Sequence, residues 1–403
     1  MMNRIILNIT ASANWRRRPV GIIRVEREII KRLQQMCRNR IVPVYLDYPN
    51  NKWMRVKPDL FEYILSDEWV LSDNPDQDVK KALVNGFTTF KPQKGDKFVS
   101  AGSDWSFDVA GSVGALYKGE RVLVTACYDL IPLIYPEFTP GPEFYEQFNK
   151  HYTEIAISGA AVFSISENSK KDLLNFWEAK GLAKTAPAVE VIPLAGLDQK
   201  NESLPKLKAN DLGTLSNIKN SGDYIIFVST LEPRKNHQMA LDLWHELYQA
   251  RGEQCPTLLI VGMRGWGVDC LIEQMTKMSA TKGGKILWLQ GVGDELLAHL
   301  YANSLYAIFP SFYEGWGLAA TEAARFGKVC VVSNNSALEE ASYGASPSYH
   351  PLDFLGWYKE IENLIDDVDY RHGLEKLVVE KTPIRTWDDY GKDIYEKLLI
   401  NLV

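Results

Sequence analysis

The chain has 403 residues, 46% of them hydrophobic and 24% charged, enough for about two or three domains with sizeable cores. Its net charge of -6 argues against a general nucleic-acid binder, though not against local basic sites. The five cysteines (Cys37, Cys127, Cys255, Cys270 and Cys330) form no Cys-x-x-Cys pair, and the six histidines form no His-x-x-x-His pair. That pattern points to reduced thiols in a cytosolic protein and argues against a disulfide framework or a metal centre.

The opening residues, MMNRIILNIT, carry too short an apolar run for a signal peptide, and no stretch approaches the ~20 apolar residues that span a bilayer. The expectation is a soluble, cytoplasmic protein that at most rests on a membrane surface. Short apolar runs then alternate with helical patterns. In the first half the runs are RIILNIT (4–10), RIVPVYL (40–46), KFVSAGS (97–103), RVLVTACYD (121–129), AVFSIS (161–166) and VEVIPLA (189–195). Near-continuous apolar runs suit strands of a parallel sheet covered on both faces. Between the first two, Ile22, Val25, Ile29, Leu33 and Met36 form a helical stripe. From 199 to 222 the chain turns polar and loses its pattern, which predicts a linker. The rhythm restarts with DYIIFVST (223–230), TLLIVG (257–262), KILWLQG (285–291), YAIFPS (306–311) and VCVVSN (329–334). The expected organisation is a domain over 1–198, the linker, a second domain over 223–382, and an amphipathic helix over 383–403 crossing back to the first. Two doubly wound α/β domains bind ligands at the carboxyl ends of their strands, so a cleft between them is the expected active site.

Two stretches carry chemistry. In FYEGWGLAATEAARFG (312–327), a strand leads through Glu314-Gly315-Trp316-Gly317 into a helix starting near Leu318. The turn exposes backbone N–H groups at a helix start, and its glycines let a ligand approach: an anion cradle with a carboxylate on its lip. Glu322, one turn into the helix, suits the vicinal diol of a ribose, and Glu314 a second hydroxylated group. Phosphate flanked by hydroxyls describes a nucleotide sugar. The plain alternative is a helix with ordinary N-terminal acids and a solvated Glu322. The second stretch, FVSTLEPRKNHQMALDLW (227–244), puts Arg234 and Lys235 just after a strand, with Asn236 as the expected N-cap. A guanidinium fork beside an ammonium suits a pyrophosphate. A surface basic pair is the alternative.

With EGWGLAATE preceded by STLEPRKN, the chain resembles the retaining glycosyltransferases of the GT-B fold, family 4. The likeness runs on through VGDELLAHLYANS (292–304), SNNSALEEASYGA (333–345) and, more loosely, Gly21, YDLIPLIYPE (128–137), SISENSKKDL (164–173) and IPLAGLD (192–198). It implies two Rossmann-like domains facing across a central cleft. Glu322 would bind the donor's ribose, and Val292 would lie beside the base. Glu314 would contact the donor sugar near the reacting carbon. Arg234 and Lys235 would hold the pyrophosphate, with the backbone of Gly315, Trp316, Gly317 and Leu318 completing the cradle. Gly21 would approach the phosphates from the first domain, and Asp129 would lie near sugar and acceptor. Two positions depart from the pattern. Many members have Gly-Arg where this chain has Val228-Ser229, a variant that resembles bacterial polysaccharide mannosyltransferases; and Tyr128 stands where a histidine often precedes the aspartate.

The implied reaction moves a hexose from a nucleotide-diphosphate sugar to a glycan or a polyprenyl-diphosphate-linked glycan, retaining configuration, with GDP-mannose the first donor and rhamnose donors and UDP-sugars open. No cofactor or metal is expected, since the basic pair supplies the charge. Asp76-Gln77-Asp78 and Asp367-Val368-Asp369 match a metal-binding Asp-x-Asp only formally. Arg16, Arg17, Arg18 and Arg24 follow the first strand and point to a lipid diphosphate, an anionic glycan or a bilayer surface; a solvated loop explains them equally. Trp15, Trp105 and Phe107 could stack on sugars or belong to the core. A non-catalytic homologue that binds glycans or supports a partner transferase, and an epimerase or hydrolase on the same architecture, are the rival functions.

Overall fold

A computed structural model describes residues 3–17, 19, 21–66, 68–69, 86–196, 204–281 and 285–400. The chain divides into two compact units, one formed by Met1–Leu194 with Thr386–Val403, the other by Ala195–Arg385.

The first unit is built on an eight-stranded sheet: β1 (Ile5–Asn8), β2 (Ile41–Asp47), β3 (Lys52–Val56), β4 (Phe87–Thr89), β5 (Lys97–Ser100), β6 (Leu123–Cys127), β7 (Gly159–Ser164) and β8 (Ala188–Val191). The spatial order is β4-β3-β2-β1-β5-β6-β7-β8. Six of the eight are the apolar runs of the sequence, and they pair in parallel. Strands β3 and β4 do not fit that expectation. They add an antiparallel edge, with Tyr45 opposite Met54 and Arg55 opposite Thr88. KWMRV buries only Trp53 and Val56, so as an edge strand it lacks the continuous apolar run of a central one. Trp53 carries this edge into the core, packing edge-to-face on Phe98 with ring centroids 4.9 Å apart. Helix Gly21–Cys37 buries Ile23, Val25, Ile29, Ile30 and Leu33, while Met36 of the expected stripe stays exposed. Helix Trp387–Ile394 packs against it. Its capping box pairs Thr386 with Asp389, and Arg32 Nε donates to Asp388 at 2.6 Å.

The second unit holds a six-stranded parallel sheet: β9 (Tyr224–Val228), β10 (Thr257–Val261), β11 (Ile286–Leu289), β12 (Ala307–Phe309), β13 (Cys330–Ser333) and β14 (Ser348–Tyr349), in the order β11-β10-β9-β12-β13-β14. This is the doubly wound 3-2-1-4-5-6 order, in which the direction of strand addition reverses between the first and fourth strands. Here that switch point lies between β9 and β12. The central strands β9, β10, β12 and β13 are buried on both faces, as their apolar content demands, while the edge strands β11 and β14 are largely half-buried. The polar stretch expected to be an unpatterned linker contains a helix, Ala209–Asn220, in which Leu215 and Ile218 are buried. Two buried apolar side chains are too few to leave an amphipathic stripe in the sequence. No described helix is long and apolar enough to cross a membrane.

Candidate active site at the switch point

The loops after β9 and β12 meet at the carboxyl edge of the second sheet. After β9 the chain makes a 3-10 turn, Pro233–Lys235, and then Asn236 adopts a left-handed conformation (φ 57°) before helix His237–Arg251. Asn236 is at the expected N-cap position but caps nothing with its side chain. Its amide instead donates to Pro310 O at 3.0 Å and Pro351 O at 2.9 Å, binding three loops together. The turn is also tied to the β12 loop through its backbone, Phe312 N donating to Arg234 O at 2.8 Å.

These ties bring Arg234, Lys235 and Glu314 into one cluster, 79 residues apart in sequence for Lys235 and Glu314. Glu314 Oε1 lies 2.7 Å from Arg234 Nη1 and 2.6 Å from Lys235 Nζ, and accepts from Ser311 Oγ at 2.5 Å. Arg234 donates further to Tyr313 O at 2.5 Å and to Glu232 Oε1 at 2.6 Å. Lys235 Nζ sits 5.0 Å over the Phe309 ring. Burial alone would raise the pKa of Glu314, but the two cations and the hydrogen bonds from Lys235 and Ser311 override it and hold the carboxyl down at about 2. Burial and the neighbouring Arg234 lower the pKa of Lys235, partly opposed by Glu314 and Glu232. His237 is driven down to about 3 by burial and by Lys235. It is a neutral ring stacked 4.5 Å from Phe227, its Nε2 3.1 Å from Ser229 Oγ. Ser229 therefore packs on a buried histidine.

The glycine turn is shaped by packing. Gly317 has φ 119°, and a Cβ there would collide with Leu338 Cδ2. It opens helix Leu318–Arg325, in which Glu322 is buried, not solvated, within reach of Tyr301 OH at 3.4 Å. Trp316 is buried, and its indole N–H finds no partner among the described residues. Val292 is half-buried ahead of helix Asp294–Asn303. Sequence reasoning did not single out Glu232, Ser311, His237 or Tyr301. The string LEPRKNH contained two of them, but a carboxylate two residues before an arginine carries no signal until the fold brings them together.

In the first unit, Asp129 Oδ1 accepts from Ile131 N at 3.0 Å, and Tyr128 donates to Ala101 O at 2.5 Å. Gly21 is exposed at the start of its helix with φ 50°. Arg16 stacks 3.6 Å over the Trp69 ring, Arg17 is exposed, Arg24 is half-buried, and Arg18 lies outside the described residues. Trp105 packs 4.5 Å from Phe148, and Phe107 6.3 Å from Tyr48. A second polar cluster, unforeseen, lies at the carboxyl ends of β1, β5 and β6. Asn8 donates to Ser100 Oγ at 2.8 Å, Ser100 to Asp104 Oδ1 at 2.7 Å, and Thr125 to Asp104 Oδ2 at 3.2 Å, while Ser12 donates to Glu26 Oε2. Burial pushes Glu26 up to about 8 and Asp104 up to about 7. Of the two Asp-x-Asp strings, 76–78 lies outside the described residues, and Asp367 caps its helix by accepting from Tyr370 N at 2.8 Å. Among the described residues no group of three or more His, Cys, Asp or Glu is placed to hold a metal ion.

Residues 215–342 match the family described as Glycosyl transferases group 1, a stretch that includes the whole Arg234–Lys235–Glu314 cluster. The serotype-specific mannosyltransferase WbdA of Escherichia coli is 43% identical over 100 residues, 25% of this chain and 12% of that protein. The O-antigen chain mannosyltransferase B of Escherichia coli is 28% identical over 249 residues, 62% of each. The chain thus covers about an eighth of the first relative's length (12%) and 62% of the second's. Among solved structures, Anabaena Alr3699/HepE in complex with UDP aligns over 99% of this chain and 100% of its own with a TM-score of 0.64 at 16% identity. Trehalose-6-phosphate synthase OtsA aligns over 99% of both with a TM-score of 0.64 at 13% identity. The chain has the GT-B fold and resembles the GT-B glycosyltransferases, bacterial mannosyltransferases among them.

Proposed function

We propose that the protein is a retaining glycosyltransferase that moves a hexose from a nucleotide-diphosphate sugar, GDP-mannose first, to a glycan or polyprenyl-diphosphate-linked glycan in the synthesis of bacterial surface polysaccharide. The observation that carries this reading is the convergence of Arg234, Lys235 and Glu314 on the switch point of the second sheet, where doubly wound folds take their ligands. The group 1 match over the same residues supports a nucleotide-sugar donor, as does the complex of HepE with UDP. The two mannosyltransferase relatives favour mannose.

In this account the donor's diphosphate meets Lys235, Arg234 and the backbone N–H groups around Gly315–Leu318, and its ribose meets Glu322. The glycosidic C–O bond breaks toward the diphosphate while the acceptor oxygen bonds to the same face of the anomeric carbon. The acceptor's proton passes to the departing phosphate oxygen. The two cations stabilise charge as it builds on that leaving group, so no metal is required. Asp129 borders the acceptor, and the arginines after β1 would meet an anionic acceptor or membrane surface. A cytoplasmic setting accords with the five free cysteines. The test is transfer of labelled mannose from GDP-mannose to a lipid-linked glycan acceptor in EDTA, with the anomeric configuration of the product read by NMR. An α-linked product formed without metal is expected. No transfer from GDP-, UDP- or dTDP-hexoses, or an inverted product, counts against the reading.

A further inference from the structure

The phosphate clamp is already filled. Arg234 and Lys235 spend their charge on one oxygen of Glu314, at 2.7 and 2.6 Å, and Glu232 takes a second arm of Arg234 at 2.6 Å. The side chains of all four residues are at most 15% exposed. Two cations thus face two carboxylates, and the cluster is electrically balanced before any ligand arrives. A balanced buried cluster has no net attraction for a further anion, and an extra charge placed there is costly unless one of the carboxylates withdraws. A phosphate oxygen and Glu314 Oε1 also compete for the same N–H donors. Glu314 is the carboxylate a phosphate oxygen would replace: its Oε1 is the oxygen that Arg234 and Lys235 share, whereas Glu232 pairs with Arg234 alone.

We propose that Glu314 is a specificity-determining internal anion that makes the site prefer an intact donor over the spent nucleoside diphosphate. Its carboxylate occupies the clamp. It withdraws when a hexosyl group offers hydroxyls in exchange, and after transfer it returns to Arg234 and Lys235 and displaces the diphosphate. The inference rests on the donor reading above and adds a direction to it: the product leaves because the enzyme carries a replacement for its phosphate.

The test is calorimetric titration of wild type, Glu314→Gln and Ser311→Ala with GDP, UDP, GDP-mannose and UDP-glucose. Removing the internal anion should tighten the nucleoside diphosphate by about tenfold or more, so that the preference for the nucleotide sugar collapses. Ser311→Ala, which removes one hydrogen bond holding Glu314 in place, should shift the same ratio in the same direction by about threefold. Circular dichroism melting checks that each variant folds, and Ser311→Ala decides the matter if Glu314→Gln does not. Nucleoside diphosphate binding that is unchanged or weaker in the folded variants overturns the internal-anion role and leaves the donor reading intact. A wild type that binds none of these compounds, nor dTDP or a dTDP-hexose titrated beside them, removes both.

Discussion

At the scale of single residues, the two polar clusters titrate in opposite senses. Glu314 is held down at about 2 against an ordinary 4.5, so its contribution to stability is present above 4.5 and is lost as pH falls through about 2. Glu26, buried under Ser12 and Gly102, is raised from 4.5 to about 8. Below 4.5 both folded and unfolded states hold its proton, and its contribution is fully present. As pH rises, the unfolded chain releases the proton first, so stability falls until the folded group ionises near 8. Asp104, raised to about 7, acts in the same sense. Glu26→Gln should therefore flatten the fall in urea-melting stability between pH 5 and 8, a change on the order of a few kcal/mol. An unchanged slope would mean that water reaches the carboxyl in solution. If Lys235 holds the leaving diphosphate as proposed, Lys235→Ala should lower kcat by about 10²–10³-fold, the effect of losing one oxyanion donor. A kcat within a few-fold of wild type would assign the phosphate charge elsewhere.

At the scale of elements, the glycine turn into helix Leu318–Arg325 depends on packing from below. Gly317→Ala forces a Cβ against Leu338 in a backbone region that disfavours any side chain, so it should destabilise the second unit by about 1–3 kcal/mol in chemical denaturation. Stability equal to wild type would mean that the turn relaxes. The turn was legible in the sequence because strand, glycines and helix follow one another in a few residues. So were Arg234 and Lys235, whose place after an apolar strand marks them. The ties that set the site were not. Asn236 looks like an N-cap and instead donates across to Pro310 and Pro351, a tertiary role that local chemistry does not announce. Strands β3 and β4 escaped notice because an edge strand buries too few residues to stand out. Helix Ala209–Asn220 escaped because it buries only Leu215 and Ile218. The Glu26–Asp104 cluster lies in three separate segments joined only by the sheet order β1-β5-β6.

At the scale of the whole molecule, each sheet carries its polar cluster at the carboxyl ends of adjacent strands, as open α/β sheets do with ligand sites. The first unit is completed by residues far away in sequence. Trp387, Tyr390 and Ile394 are fully buried, and a Cβ on Gly391 would touch the Arg32 side chain. Burying each such large side chain is worth about 1.5–3 kcal/mol, so losing three rivals a domain's usual stability of about 5–15 kcal/mol. Deleting 386–403 should leave the first unit unfolded or aggregated while the second still melts cooperatively. Two unchanged transitions would contradict that dependence. The central claim, that the second unit holds a nucleotide-sugar donor at Arg234, Lys235, Glu314 and Glu322, is tested most directly by thermal shift. GDP-, UDP- and dTDP-sugars would be titrated in EDTA against wild type and Glu322→Ala. A ligand at ~100 times its dissociation constant should add roughly 2.7 kcal/mol of stability. One base class stabilising wild type, and much less the variant, is the predicted result; no stabilisation by any of them, or equal stabilisation of both proteins, would contradict it.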